Sequence, residues 1–291
     1  LEASVVDADL VVWGGVEAYR STDGGASHTL INAWGQYYGD PAHKLHADIM
    51  GIQATPDPED PDEELWFINT DGGSYISEDG AATVDNLALQ GLRISQYYDV
   101  LTSSVDPNHI AAGAQDQGYQ LTTGLDQDDA VLQFTQAISG DYGHLTSGDG
   151  SHSFVHSVYP GVMLTQEGED EPVLHFSEFP RGATMGWLPM VVADPTDPEA
   201  VFLCADQLHR YRRTDTETWT PEVFSDQDFG ARSGEYLSAL AFAPSQPDQA
   251  YAVTSHGALW SSTDGAVTWA ESESTAPSGH YFYGNTLLVD N

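Results

Sequence analysis

Basic side chains are nearly missing from this sequence. Its 291 residues hold one lysine, Lys44, and seven arginines against 45 aspartates and glutamates, a formal net charge of −37 at pH 7. A surface of that sign repels nucleic-acid phosphates and anionic membranes, which removes nucleic acid and membrane insertion from the expected partners. Self-repulsion on this scale requires screening by salt, so the charge reads first as adaptation to a saline habitat. Cysteine is reduced to Cys204, which allows no intrachain disulfide and, inside VFLCAD, reads as a small buried apolar residue. No run approaches the roughly 18 consecutive apolar residues of a membrane-spanning helix. Helix-period patterns with caps are absent, as are a Gly-rich phosphate loop, a nucleophile elbow and a Cys-x-x-Cys pair, and no cofactor is expected. The chain opens on LEAS, with neither a methionine nor a signal peptide, as a processed or cut protein would.

What the sequence has instead is a repeated turn. SSTDGAVTW, from Ser261 to Trp269, reads as Ser-x-Asp-Gly-x-x-Thr-Trp. The Asp264 carboxylate can accept from backbone N–H groups that follow it, Ser262 and Thr268 can assist, and Gly265 permits positive φ. RSTDGGASH repeats it with Ser21, Asp23, Gly24 and Gly25, placing His28 where the tryptophan stood. ISEDGAATV repeats it with Ser77, Asp79, Gly80 and Thr83. Each copy follows an alternating apolar segment, which makes the turn the closing corner of a repeated hairpin.

Five longer segments share one order: apolar strand, Pro- and Asp-rich turn, strand, Gly- or Asp-bearing turn, strand. They start at ADIMGIQ, YYDVLTS, HSFVHSV, MVVADPT and LSALAFA. Between Ser21 and Ser262 five intervals of about 48 residues fit, the size of a four-stranded blade, and the two ends together supply one more. The expectation is therefore an all-β fold, a β-propeller of six four-stranded blades in a single domain over residues 1–291. The count becomes seven if the chain is a fragment. The C-terminal strand GNTLLVDN is expected to complete the first blade beside SVVDADLVVWGG, because VVWGGVEAYRS starts as if a strand were missing.

The turn resembles the Asp-box (BNR) of sialidase-like propellers. The order HADIMGI, NTDGG, GLRISQYYDV, AQDQG, SGDG, WLPMVVADPTDPEAVF is similar to secreted Asp-box propellers of the sialidase, sortilin and xyloglucanase-like superfamily, over about Val11 to Trp269. The resemblance implies an extracellular or cell-surface protein and says little about activity.

In such a blade the Asp-box and the turn between strands one and two share a lower rim. Turns between strands two and three, with the links between blades, share an upper face. The acidic loops ATPDPEDPDEE, VDPNH and ADPTDPE then point down as solvated turns. To the upper face go Asp48, Arg93, Gln96, Tyr97, Tyr98, Gln115, Tyr142, His144, Trp187, Tyr236 and His256 as candidate ligand-binding residues. Asp141, Asp206, Gln207, His280 and Tyr281 accompany them. Aromatic platforms beside carboxylates and amides suit a neutral polyol. Asp71, Asp116 and Asp149 are the candidate catalytic carboxylates. Asp71, in NTDGG, resembles the turn that carries a catalytic acid in two-propeller xyloglucanases, so an inverting pair here needs a second carboxylate roughly 6.5–9.5 Å away. The competing reading is that these aspartates only brace their turns.

HKLHAD brings His43, His46 and Asp48 together, and the simplest reading has the histidines bonding backbone, with no metal. Arg210, Arg212 and Arg213 in RYRR read as an exposed strand end offsetting nearby acid. The arginine cluster that a sialidase needs for its substrate carboxylate is not apparent. The functional expectation is a recognition or scaffold module for a glycan or protein, with an endo-acting glycoside hydrolase as the alternative.

Overall fold

Alternating apolar segments become strands, and the turn-rich segments between them connect neighbours in sequence order. The computed structural model describes residues 1–92, 95–122, 132–169, 172–214, 218–231, 234–276 and 287–289. It contains six four-stranded antiparallel sheets, each a meander of consecutive strands. Blade 1 is β1 (Glu2–Ala3), β2 (Val11–Gly14), β3 (Ala18–Ser21) and β4 (Thr29–Leu30). Blade 2 is β5 (Ile49–Pro56), β6 (Glu64–Thr70), β7 (Gly73–Ser77) and β8 (Asp85–Asn86). Blade 3 is β9 (Tyr97–Thr102), β10 (Ile110–Ala114), β11 (Gly118–Thr122) and β12 (Phe134–Ile138). Blade 4 is β13 (Gly143–Thr146), β14 (Phe154–Tyr159), β15 (Val162–Glu167) and β16 (Val173–Glu178). Blade 5 is β17 (Val191–Ala193), β18 (Val201–Cys204), β19 (Leu208–Arg213) and β20 (Trp219–Val223). Blade 6 is β21 (Leu237–Ala243), β22 (Gln246–Thr254), β23 (Ala258–Ser262) and β24 (Ala270–Thr275). The fold class is all-β, with six β-propeller blades.

The chain falls into two compact units. One comprises Leu1–Gln96 with Gln115–Gln117, and the other Tyr97–Ala114 with Gly118–Asn291. In the first, Trp66 and Ile68 of β6 and Tyr75 of β7 are fully buried against Leu10 and Val12. Burying an aliphatic or aromatic side chain of this size contributes roughly 1.5–3 kcal/mol. Glu64, also buried, accepts from Trp66 Nε1 (2.8 Å), Ser4 Oγ (2.8 Å) and the Val5 N–H (2.9 Å), so its charge is solvated by protein donors. The second unit is built on Tyr119, Leu164, Leu203 and Tyr211, all fully buried. Cys204 is buried there too, and burial pushes its thiol up to about 12.

The three Ser-x-Asp-Gly turns close β3–β4, β7–β8 and β23–β24 with one bonding scheme. Ser Oγ donates to Asp Oδ1 at 2.7, 2.9 and 2.8 Å for Asp23, Asp79 and Asp264. The N–H four residues on donates to the same oxygen at 2.8, 2.8 and 2.9 Å, and that residue's hydroxyl donates to Oδ2 at 2.6, 2.7 and 2.6 Å. Positive φ is needed at two successive positions, filled by Gly24 and Gly25 in the first copy but by Gly80–Ala81 and Gly265–Ala266 in the others.

Three expectations are corrected. HSFVHSV is the second strand of blade 4, because the short GHLT of β13 precedes it; four residues starting with glycine carry too little alternation to read as a strand. Blade 1 is supplied with its first strand by Glu2–Ala3, paired to Val11 and Val12. Of residues 284–291 only 287–289 are described, lining a cavity with Tyr251 and Trp260 of blade 6. Lastly, Arg210 and Arg213 are not exposed. Arg210 Nη2 lies 2.5 Å from Asp194, and Arg213 pairs with Glu167 at 2.8 Å beneath the rings of Phe154 and Trp219.

Candidate functional site

In the first unit the strand 2–3 turns and the link between blades lie together, as strand parity requires. The N–H groups of Asp48 and Ile49, at the end of the link, donate to Val16 and Gly15 in the β2–β3 turn at 3.0 and 2.7 Å. That link carries His46. Asn32 clamps it by accepting from the Leu45 N–H at 3.0 Å and donating to the Leu45 carbonyl at 3.1 Å. Asn86 holds Pro41 and Ala42 through its side chain and N–H at 3.1 and 2.8 Å.

His46 is buried, and four contacts hold it. Its N–H donates to the Tyr75 hydroxyl at 3.1 Å, and its ring meets Tyr37 edge-on with centroids 4.7 Å apart. Gly72 of the β6–β7 turn packs flat on the ring; a Cβ there would sit 2.5 Å from His46 Cγ. Asp71, beside that glycine, receives the ring nitrogen: Nδ1 lies 2.8 Å from Asp71 Oδ1. An ionised carboxylate only accepts, so Nδ1 carries the proton. On the opposite edge, Nε2 lies 3.7 Å from Asp116 Oδ1. Burial, with Tyr37 and Asp71 close by, pushes the Tyr75 phenol above its ordinary range.

Asp116 comes from the turn between β10 and β11. Its φ of 59° lies in the left-handed region, which Asp tolerates better than most residues. The turn is tied into the first unit at two points. The Gln115 N–H donates to the Gln96 carbonyl at 2.9 Å, and Gln117 Nε2 donates to the Gly72 carbonyl at 3.2 Å. Ser95 Oγ also bonds Gln117 Oε1. One donor atom each from His46, Asp71 and Asp116 lie within 4.8 Å of one another.

Aromatic rings lead outward from this cluster. The link forms a 3₁₀ helix over Trp34–Gly39, with Tyr37 buried and Trp34 and Tyr38 about half exposed. Tyr38 meets Tyr37 at 5.6 Å and Trp34 at 5.8 Å, both edge to face. The Trp34 N–H donates to Glu17 Oε1 at 3.2 Å. A cluster of edge-to-face aromatic rings thus adjoins a polar trio in which Asp71, with 30% of its side chain accessible, is the most open member.

The candidate residues divide between the units. Asp48, Asp71, Gln96, Gln115 and Asp116 belong to the first; Asp48 and Gln96 are exposed there. Tyr97, Tyr98, Tyr142, His144, Asp149, Trp187, Tyr236 and His256 belong to the second. Arg93, His280 and Tyr281 lie outside the described residues. Tyr98 packs edge-on to the half-exposed Trp187 at 6.5 Å, and the Tyr97 hydroxyl donates to Gln120 at 2.8 Å. His256 Nδ1 lies 3.4 Å from Glu235. Burial pulls the His144 imidazole down, against the opposing pull of Asp99.

Four readings change. Tyr142 is a core residue between Tyr119 and Tyr159, and burial raises its phenol. Asp149 sits in the β13–β14 turn, at the opposite end of its blade from the strand 2–3 turn. There it accepts from Ser147 Oγ (3.1 Å), the Ser151 N–H (3.0 Å) and Ser151 Oγ (2.6 Å). Burial alone would raise its carboxyl, but those hydroxyls and the N–H hold it below the ordinary value. Asp71 and Asp116, candidates for an inverting pair, address the two nitrogens of one imidazole, at 2.8 and 3.7 Å. And His46 turns its ring to carboxylates where backbone bonding was expected.

Trp34, Tyr37 and Tyr38 stand outside the candidate set because the link has no periodicity to place them, and His46 is grouped in sequence with its neighbours His43 and Asp48, where the structure gives it Asp71 and Asp116. One signal for sorting the aspartates was present. Asp23, Asp79, Asp149 and Asp264 all have serine two residues before and serine or threonine four after. Asp71 has Asn69 and Tyr75 in those places, and Asp116 has Ala114 and Gln120. The first group is braced by its own turn.

No family model and no curated protein matches the sequence. Among solved structures the chain resembles YCF48 from Cyanidioschyzon merolae, with a TM-score of 0.44 and 13% identity over 94% of this chain and 83% of that one. A structure of YCF48 bound to D1 peptide compares at 0.44, 16%, 94% and 80%. The GH74 xyloglucanase from Xanthomonas campestris compares at 0.37 and 17% over 91% of this chain, which spans 44% of the enzyme. Likeness at these scores carries no argument about activity.

Proposed function

We propose that the chain is a recognition module, a propeller that binds a glycan or a protein segment where the rings of Trp34 and Tyr38 connect through Tyr37 to the His46–Asp71 pair. The carrying observation is the pairing of a half-exposed aromatic platform with a carboxylate already oriented by a buried histidine. Flat rings take the apolar face of a sugar or an aliphatic side chain, and the carboxylate takes its hydroxyl or N–H donors. The acid-rich surface and the Asp-box-like turns support an extracellular, salt-adapted setting.

A hydrolase is the less supported reading. Asp71 and Asp116 address opposite nitrogens of one imidazole, at 2.8 and 3.7 Å, where an inverting pair would hold a water between its carboxylates. The test is a binding screen at high salt against neutral glycans and peptides, with Trp34→Ala and Asp71→Asn as variants. The expected result is binding by the wild type, weakened about tenfold or more in Trp34→Ala, as for loss of an aromatic anchor. Binding in both variants equal to that of the wild type would move the site elsewhere. Reducing-sugar release by the wild type, lost in Asp71→Asn, would restore the hydrolase.

A further inference from the structure

We propose that His46 and Asp116, with Asp71 as the orienting partner, form a site for a divalent transition-metal cation of the zinc class. The proposal concerns the same face as the recognition reading but stands on the imidazole geometry alone.

Asp71 accepts the hydrogen bond of Nδ1–H at 2.8 Å, which in the neutral ring leaves Nε2 with its lone pair. The carboxylate nearest that lone pair, Asp116 Oδ1, is 3.7 Å away. Both atoms are electron-rich, and the gap exceeds hydrogen-bond reach. It is close to the distance between two ligands of one tetrahedral cation: metal bonds of 2.0–2.2 Å place neighbouring donors about 3.3–3.6 Å apart. A carboxylate on one ring nitrogen and a metal on the other is also how ligating histidines are commonly oriented.

Burial and donor type narrow the choice. The side chains of His46 and Asp116 are 8% and 12% accessible, so a cation there faces little competing water, while Asp71 at 30% marks the open side. One imidazole with carboxylates suits zinc, cobalt or manganese, whereas calcium would need six to eight oxygens. Two protein ligands leave the remaining coordination positions to water. Gly72 is part of the device, since any side chain there would displace the ring.

The experiment uses the full chain, stripped with a chelator and titrated with Co²⁺ as a visible stand-in for Zn²⁺. One bound equivalent, with a d–d absorption band displaced by Zn²⁺, is expected beyond what His46→Gln retains. Asp116→Asn should lose the same equivalent, and asparagine tolerates the left-handed backbone there. Asp71→Asn should weaken binding about 10–100-fold without abolishing it. Thermal melts of the metal-free variants report whether each still folds, and Asp116→Asn decides the matter if His46→Gln does not. A wild type that holds no more Co²⁺ than these variants overturns the proposal and leaves a proton as the bridge between His46 and Asp116. Repeating the glycan and peptide screen in chelator separates the two readings, because loss of the metal site alone leaves ligand binding intact.

Discussion

The two ends of β7 carry the same dipeptide, Asp-Gly, put to opposite uses. At one end, Asp79 spends both oxygens inside its own turn, on Ser77 and Thr83. At the other, Asp71 receives a histidine from 25 residues earlier in the chain. Five residues of strand separate the two turns. What differs is the supply of local donors: a serine two before and a threonine four after tie Asp79 down, whereas Asn69 and Tyr75 leave Asp71 available. An aspartate in a glycine turn is thus tied into its own turn or available to a distant partner according to its neighbours at those two positions.

The largest effect that would test this contrast is expected from Gly72→Ala. Its new Cβ would lie 2.5 Å from His46 Cγ, and overpacking of that kind costs about 1–3 kcal/mol. Urea denaturation should show the loss, and the Co²⁺ band described above should disappear. Full stability with an intact band would mean that the turn does not press on the imidazole.

Next in size is Asp79→Ala, expected to cost roughly 0.5–2 kcal/mol by analogy with the loss of a capping side chain. Asp71→Asn keeps an acceptor for His46 Nδ1 and is expected to change stability by less than about 0.5 kcal/mol, the smallest effect in the set. If the two substitutions destabilise equally, the division into bracing and available aspartates fails.

Between these lies the response to acid. In the Asp23 turn, bonds from the Ser27 hydroxyl and N–H and then Ser21 pull the carboxyl from 3.8 to about 2; Thr268 and Ser262 do the same at Asp264. Depressed folded values mean that this stabilisation is complete above pH 3.8 and lost as the pH falls toward 2. A double variant, Asp23→Asn with Asp264→Asn, should therefore be less stable than wild type at pH 7, and the difference should close between about pH 4 and pH 2. A difference that persists at pH 2 would assign the stabilisation to something other than ionisation.

The blades were legible because each apolar alternation and each turn signal is local, and six repetitions reinforce one another. The failure at β13 has the same origin, since GHLT is too short to announce a strand. Missing it moved Asp149 to the wrong end of its blade. Tyr142 misled for a different reason: polar atoms on a tyrosine suggest a surface, and only packing against Tyr119 and Tyr159 reveals a core position. The arginines of β19 looked exposed from their charge, yet their partners Asp194 and Glu167 come from turns and strands that composition alone does not bring near.

The amino-acid order by itself determined the all-β class, the number of blades, and the closure of three hairpins by an aspartate between a serine and a second hydroxyl. These rest on interactions within a few residues, where chain connectivity brings the partners together at little entropic cost. Tertiary structure alone decided that His46 stands between Asp71 and Asp116 with Trp34 and Tyr38 outside it. Those residues come from one link and two hairpins, and no local pattern encodes a meeting that exists only once the blades have packed.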